Sequence, residues 1–282
     1  MKNIIISDNK KLEETIKRIS AGGKEKIHII ADFDRTLTKG AVQGDSKITS
    51  IINRIAIGGY LGKDYTKKAD ILYAKYRAIE IDPEISLEEK KEKMLEWWEK
   101  HSQLLIESKL NLNVIKEIIK KEDPHFREGI FNFLDILNKN KIPLIIMSSS
   151  RGEMIKLFLE KFGKMYSNIH IIANMFKFDK NGIAIDYEEP VIHMLNKSEI
   201  SIKGLPIYNK LLERKNIILL GDSLGDVRMV KGFPYENLIK IGFLNENIEE
   251  SLESYKKNYD VVILNDGSFD YVNELLERLI KD

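Results

Sequence analysis

The sequence predicts an α/β fold: a parallel sheet covered by helices on both faces, with one all-helical segment inserted into it. Three observations lead there. Short apolar runs of strand length alternate with amphipathic helical segments from about residue 122 onward. One more such run, Ile27–Ala31, stands well before them and ends abruptly in Asp32-Phe33-Asp34-Arg35-Thr36. Between the two, residues 46–121 carry helical periodicity and no strand signal. The insertion therefore interrupts the series between its first two strands. It divides the chain into a core of residues 1–45 and 122–282 and a helical cap of residues 46–121.

Each element has its own signature. Residues 8–20 place Leu12, Ile16 and Ile19 on one helix face with Lys and Glu opposite, and Gly22-Gly23 ends that helix. The strand 27–31 follows. In the insertion, Tyr73, Tyr76, Ile79 and Glu80 belong to a helix that Asp82-Pro83 closes, because a residue before proline is pushed out of helical geometry. Ser86-Leu87-Glu88-Glu89 has the form of a capping box and opens a helix through Met94, Trp97, Trp98 and Leu105. After the insertion come a helix at 126–138, a strand at 142–147, a helix at 152–162 and a strand at 169–173. A hairpin at 176–186 turns on Asp179-Lys180-Asn181-Gly182. A helix at 205–214 and strands at 217–220, 238–241 and 261–264 complete the series. Strands separated by helices run parallel and need cover on both faces.

Composition narrows the function. The 282 residues hold 45 Lys+Arg against 44 Asp+Glu, and no basic stripe offers a footprint for nucleic acid. Cysteine is absent, which excludes thiol catalysis, zinc–thiolate sites and disulfides, and suits a reducing interior. Ile4-Ile5-Ile6 is too short for the apolar part of a secretory signal. No window approaches the roughly 18 apolar residues of a membrane span. The expectation is a soluble cytoplasmic protein with a small-molecule partner.

Polar residues follow four of the strands. Side chains alternate faces along a strand, so the chain must leave extended geometry after Asp32 for Asp32 and Asp34 to serve one site. Ser148-Ser149-Ser150 follows the strand 142–147, and Lys197 precedes the helix 205–214. Gly221-Asp222-Ser223-Leu224-Gly225-Asp226 follows the strand 217–220. Singly, each has an ordinary explanation. Asp222 and Asp226 suit a turn and a helix cap, the serines suit a cap, and Lys197 suits the surface. Together they collect where open α/β sheets bind ligands, at the C-terminal ends of strands. Asp45, Asp64 and Asp70 have no such placement and are expected to be solvated.

Asp-x-Asp-x-Thr, an apolar strand ending in Ser, a Lys, and Gly-Asp-Ser-x-Gly-Asp, in that order, resemble the haloacid dehalogenase superfamily of phosphatases across nearly the whole chain. A narrower resemblance lies in Ala78-Ile79-Glu80-Ile81-Asp82-Pro83, Glu96-Trp97-Trp98-Glu99-Lys100 and Val191-Ile192-His193-Met194-Leu195-Asn196-Lys197. With residues 221–226 followed by Val227-Arg228-Met229, these are similar to the type III cytosolic, or pyrimidine, 5′-nucleotidases.

The resemblance implies a Rossmann-like haloacid dehalogenase core and Mg²⁺-dependent hydrolysis of nucleoside 5′-monophosphates. It implies that Asp32 and Asp222 give side-chain oxygens to Mg²⁺, Asp34 gives its carbonyl, and Asp226 orients the metal shell. Asp32 is then the nucleophile that forms an aspartyl phosphate, and Asp34 the general acid and base. Such an acid has no use in carbon–halogen cleavage. Ser148 and Ser149 would bind phosphoryl oxygens, and Lys197 would stand as a positive charge between nucleophile and phosphate.

In the cap, the resemblance gives Glu80 to the nucleobase and Trp98 to the aromatic beside it. Trp97 and Trp98 lie about 100° apart on one helix, so one suits packing and the other a cleft. His101 is the further substrate contact. It stands where many members carry Ser or Ala, and Ser102 where they carry His. Trp at position 98 is the choice of relatives that accept 7-methylguanosine monophosphate, so the resemblance implies UMP and CMP as substrates and leaves that nucleotide open beside them. Arg35, at a variable position, reaches either phosphate or solvent. Two rivals differ in class: a phosphatase of another small phosphometabolite such as phosphoserine, and a non-catalytic nucleotide-binding protein. Glu80 and the Trp pair speak against the first, and the presence of both Asp32 and Asp34 against the second.

Overall fold

A computed structural model describes residues 3–40, 53–197 and 206–281. The chain begins with strand β1 (Ile4–Ile6) and helix α1 (Asn9–Ala21), followed by β2 (Ile27–Ala31). Helices α2 (Asn53–Ile57), α3 (Gly62–Ile81), α4 (Leu87–Glu107) and α5 (Leu112–Lys121) come next. Then follow α6 (Ile130–Lys139), β3 (Leu144–Arg151), α7 (Gly152–Lys161), β4 (Ile169–Asn174) and a hairpin of β5 (Phe176–Phe178) and β6 (Ala184–Tyr187). The chain closes with α8 (Tyr208–Leu212), β7 (Asn216–Gly221), a 3-10 turn (Asp226–Gly232), β8 (Asn237–Leu244), α9 (Ile248–Asn258), β9 (Val261–Leu264) and α10 (Asp270–Ile280).

Among the described residues, seven strands form one sheet in the order β1-β9-β8-β7-β2-β3-β4. All neighbours are parallel except β1, which lies antiparallel on β9. The unbroken apolar runs follow from burial on both faces. Ile29, Ala31, Leu144, Ile146, Ile218 and Leu220 point to the larger core, which α1, α6, α7 and α10 complete. Ile30, Ile145, Met147, Ile217 and Leu219 point the other way, toward Met229, Val230 and Phe233. The parallel strands β7, β2 and β3 sit side by side at the centre, so the loops leaving their C-terminal ends share one edge of the sheet.

Several elements differ from the sequence expectation for physical reasons. β1, read only as a short apolar run, gains its strand partner from the far end of the chain. The helix expected at 126–138 starts at Ile130, because Phe126 bridges to Thr38 and Gly129 takes the left-handed conformation (φ 82°) before the first turn. β3 runs on through the three serines, past an irregularity between Met147 and Arg151. Of the helix expected at 205–214, Tyr208–Leu212 is helical. Residue 205, Asp45, the core–cap boundary at 45/46 and the first residues of the cap lie outside the described residues.

Between β2 and β3, the Ser86 hydroxyl caps α4 by accepting from Glu89 N–H, and α3 ends at Ile81, with Asp82 extended ahead of Pro83. Tyr76 of α3 stacks on Trp97 of α4 with ring centres 5.9 Å apart. Ile115, Ile118 and Ile119 of α5 enter the larger core. Asp64 and Asp70 are exposed. No helix among the described residues is long and apolar enough to cross a membrane.

Candidate active site

The Asp32 N–H donates to Leu220 O at 3.0 Å, carrying the β2–β7 ladder one residue past β2. The chain then leaves the sheet in a tight turn, with Leu37 N–H on Phe33 O at 3.0 Å and Arg35 in the left-handed region (φ 64°). The turn brings Asp34 round to the same edge, where its carboxylate accepts from the Ser150 hydroxyl at the end of β3. This is the departure from extended geometry that a shared site requires.

A residue that sequence reasoning missed holds the turn. Arg127, 1% exposed, donates to Thr36 O (2.8 Å), Arg35 O (2.6 Å), Gly267 O (3.0 Å) and Asn245 Oδ1 (2.8 Å). It also pairs with Asp266 at 3.3 Å, and its guanidinium lies over the Phe243 ring. Arg35 itself turns its side chain to Glu246.

Asp32, Asp222 and Asp226 bring carboxylate oxygens within 4.8 Å of one another. Asp32 is 5% exposed. Burial pushes its carboxyl up to about 7, against the pull of Lys197 and with help from Asp226 and Asp34. Burial likewise raises Asp222 well above the carboxylate range, and Asp32 and Asp226 add to it. Lys197 bonds both Asp32 Oδ1 and Asp226 Oδ1, the latter at 2.8 Å. Burial alone would discharge it, but Asp226 and Asp32 outweigh that and hold it charged. The other oxygen of Asp226 accepts from Ser223 N–H (3.0 Å) and Oγ (2.8 Å). Three carboxylates face one ammonium, a donor set that fits a hard divalent cation with oxygen ligands. Such a cation would offset the charge that burial makes costly.

The loop carrying Lys197 is tied down by Asn174, the last residue of β4. Its amide donates to Ser149 O (2.6 Å) and Ile192 O (2.8 Å), and its carbonyl accepts from Ile192 N–H (2.8 Å). Asn196 closes the same loop on Val191 O and His193 N–H. Ser148 is buried and accepts from Ser150 N–H at 3.1 Å, whereas Ser149 is partly exposed. The Asp222 loop is braced from below, where the Tyr255 and Tyr259 hydroxyls donate to Asp222 O and Ser223 O. Gly221 and Gly242, partners across β7 and β8, leave the room for Tyr259; a Cβ on Gly242 would lie 2.7 Å from its ring.

The expected cap residues sit on α3 and α4. Glu80 accepts from Arg77 at 2.6 Å. Trp98 packs against the core cluster beside His101, and Trp97 lies against Tyr73 and Tyr76. His101 Nε2 meets the Tyr65 hydroxyl at 3.0 Å, and burial with the nearby Arg151 charge lowers its pKa to about 3. Ser102 is buried and accepts from Arg151 at 2.8 Å. Asp32, Asp34, Ser150, Lys197, Asp222 and Asp226 thus converge at the sheet edge, while His101 faces Tyr65.

Arg127, Asn174, Arg151 and the two tyrosines were not singled out in the sequence. Only Asn174 had a readable signal there: a polar residue directly after an apolar strand, as with Asp32.

Comparisons with known proteins give the family and the fold. The pattern of the pyrimidine 5′-nucleotidase (UMPH-1) family matches residues 35–280. A 7-methylguanosine phosphate-specific 5′-nucleotidase A from Xenopus laevis is 35% identical over 271 residues, covering 96% of this chain and 93% of that one. A crystal structure of cytosolic 5′-nucleotidase IIIB bound to cytidine superposes with a TM-score of 0.88 at 28% identity, over 98% of this chain and 92% of that one. At the level of fold alone, a haloacid dehalogenase-family hydrolase from Salmonella enterica serovar Typhi gives a TM-score of 0.57 at 14% identity, over 91% and 72% of the two chains.

Proposed function

The chain belongs to the pyrimidine 5′-nucleotidase family and is a phosphoric monoester hydrolase of haloacid dehalogenase fold, and we propose that it hydrolyses CMP, UMP and 7-methylguanosine monophosphate with Mg²⁺. The observation that carries the proposal is the meeting of Asp32, Asp34, Ser150 and Lys197 at one strand edge. A phosphoserine-type phosphatase would share that edge, but would have no use for Glu80 and Trp98.

Asp32 and Asp222 are the side chains assigned to Mg²⁺, with the Asp34 carbonyl. Asp226, held by Lys197 and Ser223, keeps the set in place. Bound there, Mg²⁺ supplies positive charge against the phosphate dianion. A carboxylate oxygen of Asp32 attacks phosphorus, and the bond from phosphorus to the ribose 5′ oxygen breaks. Asp34 gives its proton to that oxygen. The nucleoside leaves, and Asp34 takes a proton from a water whose oxygen attacks phosphorus, releasing Asp32 and phosphate. The Ser150 hydroxyl keeps Asp34 aimed at this point. Lys197 neutralises charge that builds on the transferred group, and Ser148 and Ser149 are assigned to its oxygens.

Residues 46–121 are assigned as the cap that carries Glu80, Trp98 and His101 to the nucleoside and sheds water during the first step. A cytoplasmic setting, with a small nucleotide as partner, goes with this reading. The test is phosphate release from CMP, UMP, 7-methylguanosine monophosphate, AMP and phosphoserine, with Mg²⁺ and with EDTA. Release from the first three, lost in EDTA, is expected. Release from phosphoserine alone would overturn the cap assignment.

A further inference from the structure

Glu80 is an unusual place for a carboxylate. It lies in the last turn of α3, where the helix dipole disfavours negative charge, and only 11% of its side chain is exposed. Arg77, one turn earlier, donates to Glu80 Oε2 at 2.6 Å and so takes one of its two oxygens. A second guanidinium lies beside Trp98. Arg151, at the end of β3, is 2% exposed and lies 4.4 Å from the centre of the Phe176 ring and 5.9 Å from that of Trp98, with Ser102 Oγ as a hydrogen-bond acceptor. Both residues assigned to the nucleobase are therefore backed by a cation.

Resting on the assignment of Glu80 and Trp98 to the nucleobase, we propose that Arg77 and Arg151 set the charge of the base subsite and make it select neutral cytosine over cationic 7-methylguanine. Cytosine offers one exocyclic amino group, which a single carboxylate oxygen accepts. Glu80 Oε1 serves that purpose while Arg77 keeps Oε2. The guanine edge instead presents N1–H and the N2 amino group side by side, a pair that a carboxylate meets best with both oxygens. The charge works in the same direction. A methylated guanine gains from a bare carboxylate and from the face of a Trp ring. Here Arg77 has neutralised the carboxylate, and Arg151 is already beside the ring. A second cation brought to that poorly solvated place is repelled.

The test is kcat/KM for CMP and for 7-methylguanosine monophosphate on the full chain with Mg²⁺. It compares the wild type with Arg77→Met, Arg151→Met and Glu80→Gln. Turnover of ribose 5-phosphate, which has no base, normalises for general damage. The wild type is expected to favour CMP by about tenfold, and Arg77→Met to move the ratio about fivefold toward the methylated nucleotide, chiefly through KM. Arg151→Met is expected to move it the same way. Arg77 is 47% exposed, so its substitution keeps the test independent of whether the Arg151 variant folds. A wild type that prefers 7-methylguanosine monophosphate, or a ratio that Arg77→Met leaves in place, overturns the proposal. If Glu80→Gln weakens CMP while Arg77→Met moves nothing, the proposal falls and the assignment of Glu80 to the base stands. If Glu80→Gln changes KM for neither nucleotide, the assignment of Glu80 to the base falls and takes the proposal with it.

Discussion

Replacing Asn174 with alanine tests how the phosphate end of the site is held. The side chain makes three hydrogen bonds of 2.6–2.8 Å from a position 4% exposed, two of them to Ile192 and one to Ser149. Truncation leaves the Ile192 N–H and two carbonyls to find other partners. With about 1 kcal/mol for each ordinary bond and up to about 3 for a buried group left unpaired, the loss is about 2–4 kcal/mol. That corresponds to a fall in Tm of roughly 3–7 °C for a chain of this size. Function suffers separately. Lys197 lies five residues beyond Ile192 and must keep its ammonium 2.8 Å from Asp226 Oδ1. A displacement of about 1 Å is enough to lower kcat by about a hundredfold. Urea unfolding would measure the first effect, and phosphate release at a temperature where the variant is fully folded the second. A variant that loses stability but keeps the wild-type kcat would refute the claim that Asn174 positions Lys197. Unchanged stability would refute the energetic argument.

Arg127→Met removes the donor of four hydrogen bonds that hold the turn after β2, together with its ion pair to Asp266; a loss of about 3–5 kcal/mol in urea unfolding is expected. Burial depresses His28 to about 4 and His101 to about 3, so both stay neutral in the fold. The unfolded chain takes up their protons below its own value near 6.5. Stability from these groups is complete above that pH and falls on acidification toward 4 and then 3, so Tm should drop over that window and His101→Gln should flatten the drop. Asp34→Asn should lower kcat on CMP by about 10²–10⁴-fold. It should slow the burst of p-nitrophenol from p-nitrophenyl phosphate much less, because that leaving group departs without a proton. An equal loss on both substrates would count against Asp34 as the acid.

The sheet was legible because its strands are buried on both faces and therefore read as short, continuous apolar runs. The helices between β2 and β3 were legible for the converse reason, a long helical period without any such run. Boundaries failed where a tertiary contact decided them. Nothing near Phe126 announces that Arg127 will be drawn under the Asp32–Thr38 turn, or that Gly129 must take a left-handed conformation before the next helix. Ile4–Ile6 becomes a strand only because β9 returns to it. In the site, the aspartates could be picked out by order and by their place after strands, and Lys197 only through the family resemblance. Asn174, Tyr255 and Tyr259 could not be assigned roles, because each acts through backbone carbonyls distant in sequence. The Arg77–Glu80 pair was within reach, being one helical turn apart. Its meaning depends on how little of Glu80 is exposed, which no local pattern reveals.

The central claim is that Asp32 carries the phosphoryl group between the two half-reactions. The most direct measurement is peptide mass spectrometry of the enzyme quenched in acid during turnover of CMP with Mg²⁺, beside Asp32→Asn treated in the same way. The account predicts one added phosphoryl group on the peptide containing Asp32, absent from the variant, whose phosphate release is lost as well. Steady turnover with an unmodified Asp32 peptide, or phosphate release that survives in Asp32→Asn, would contradict it.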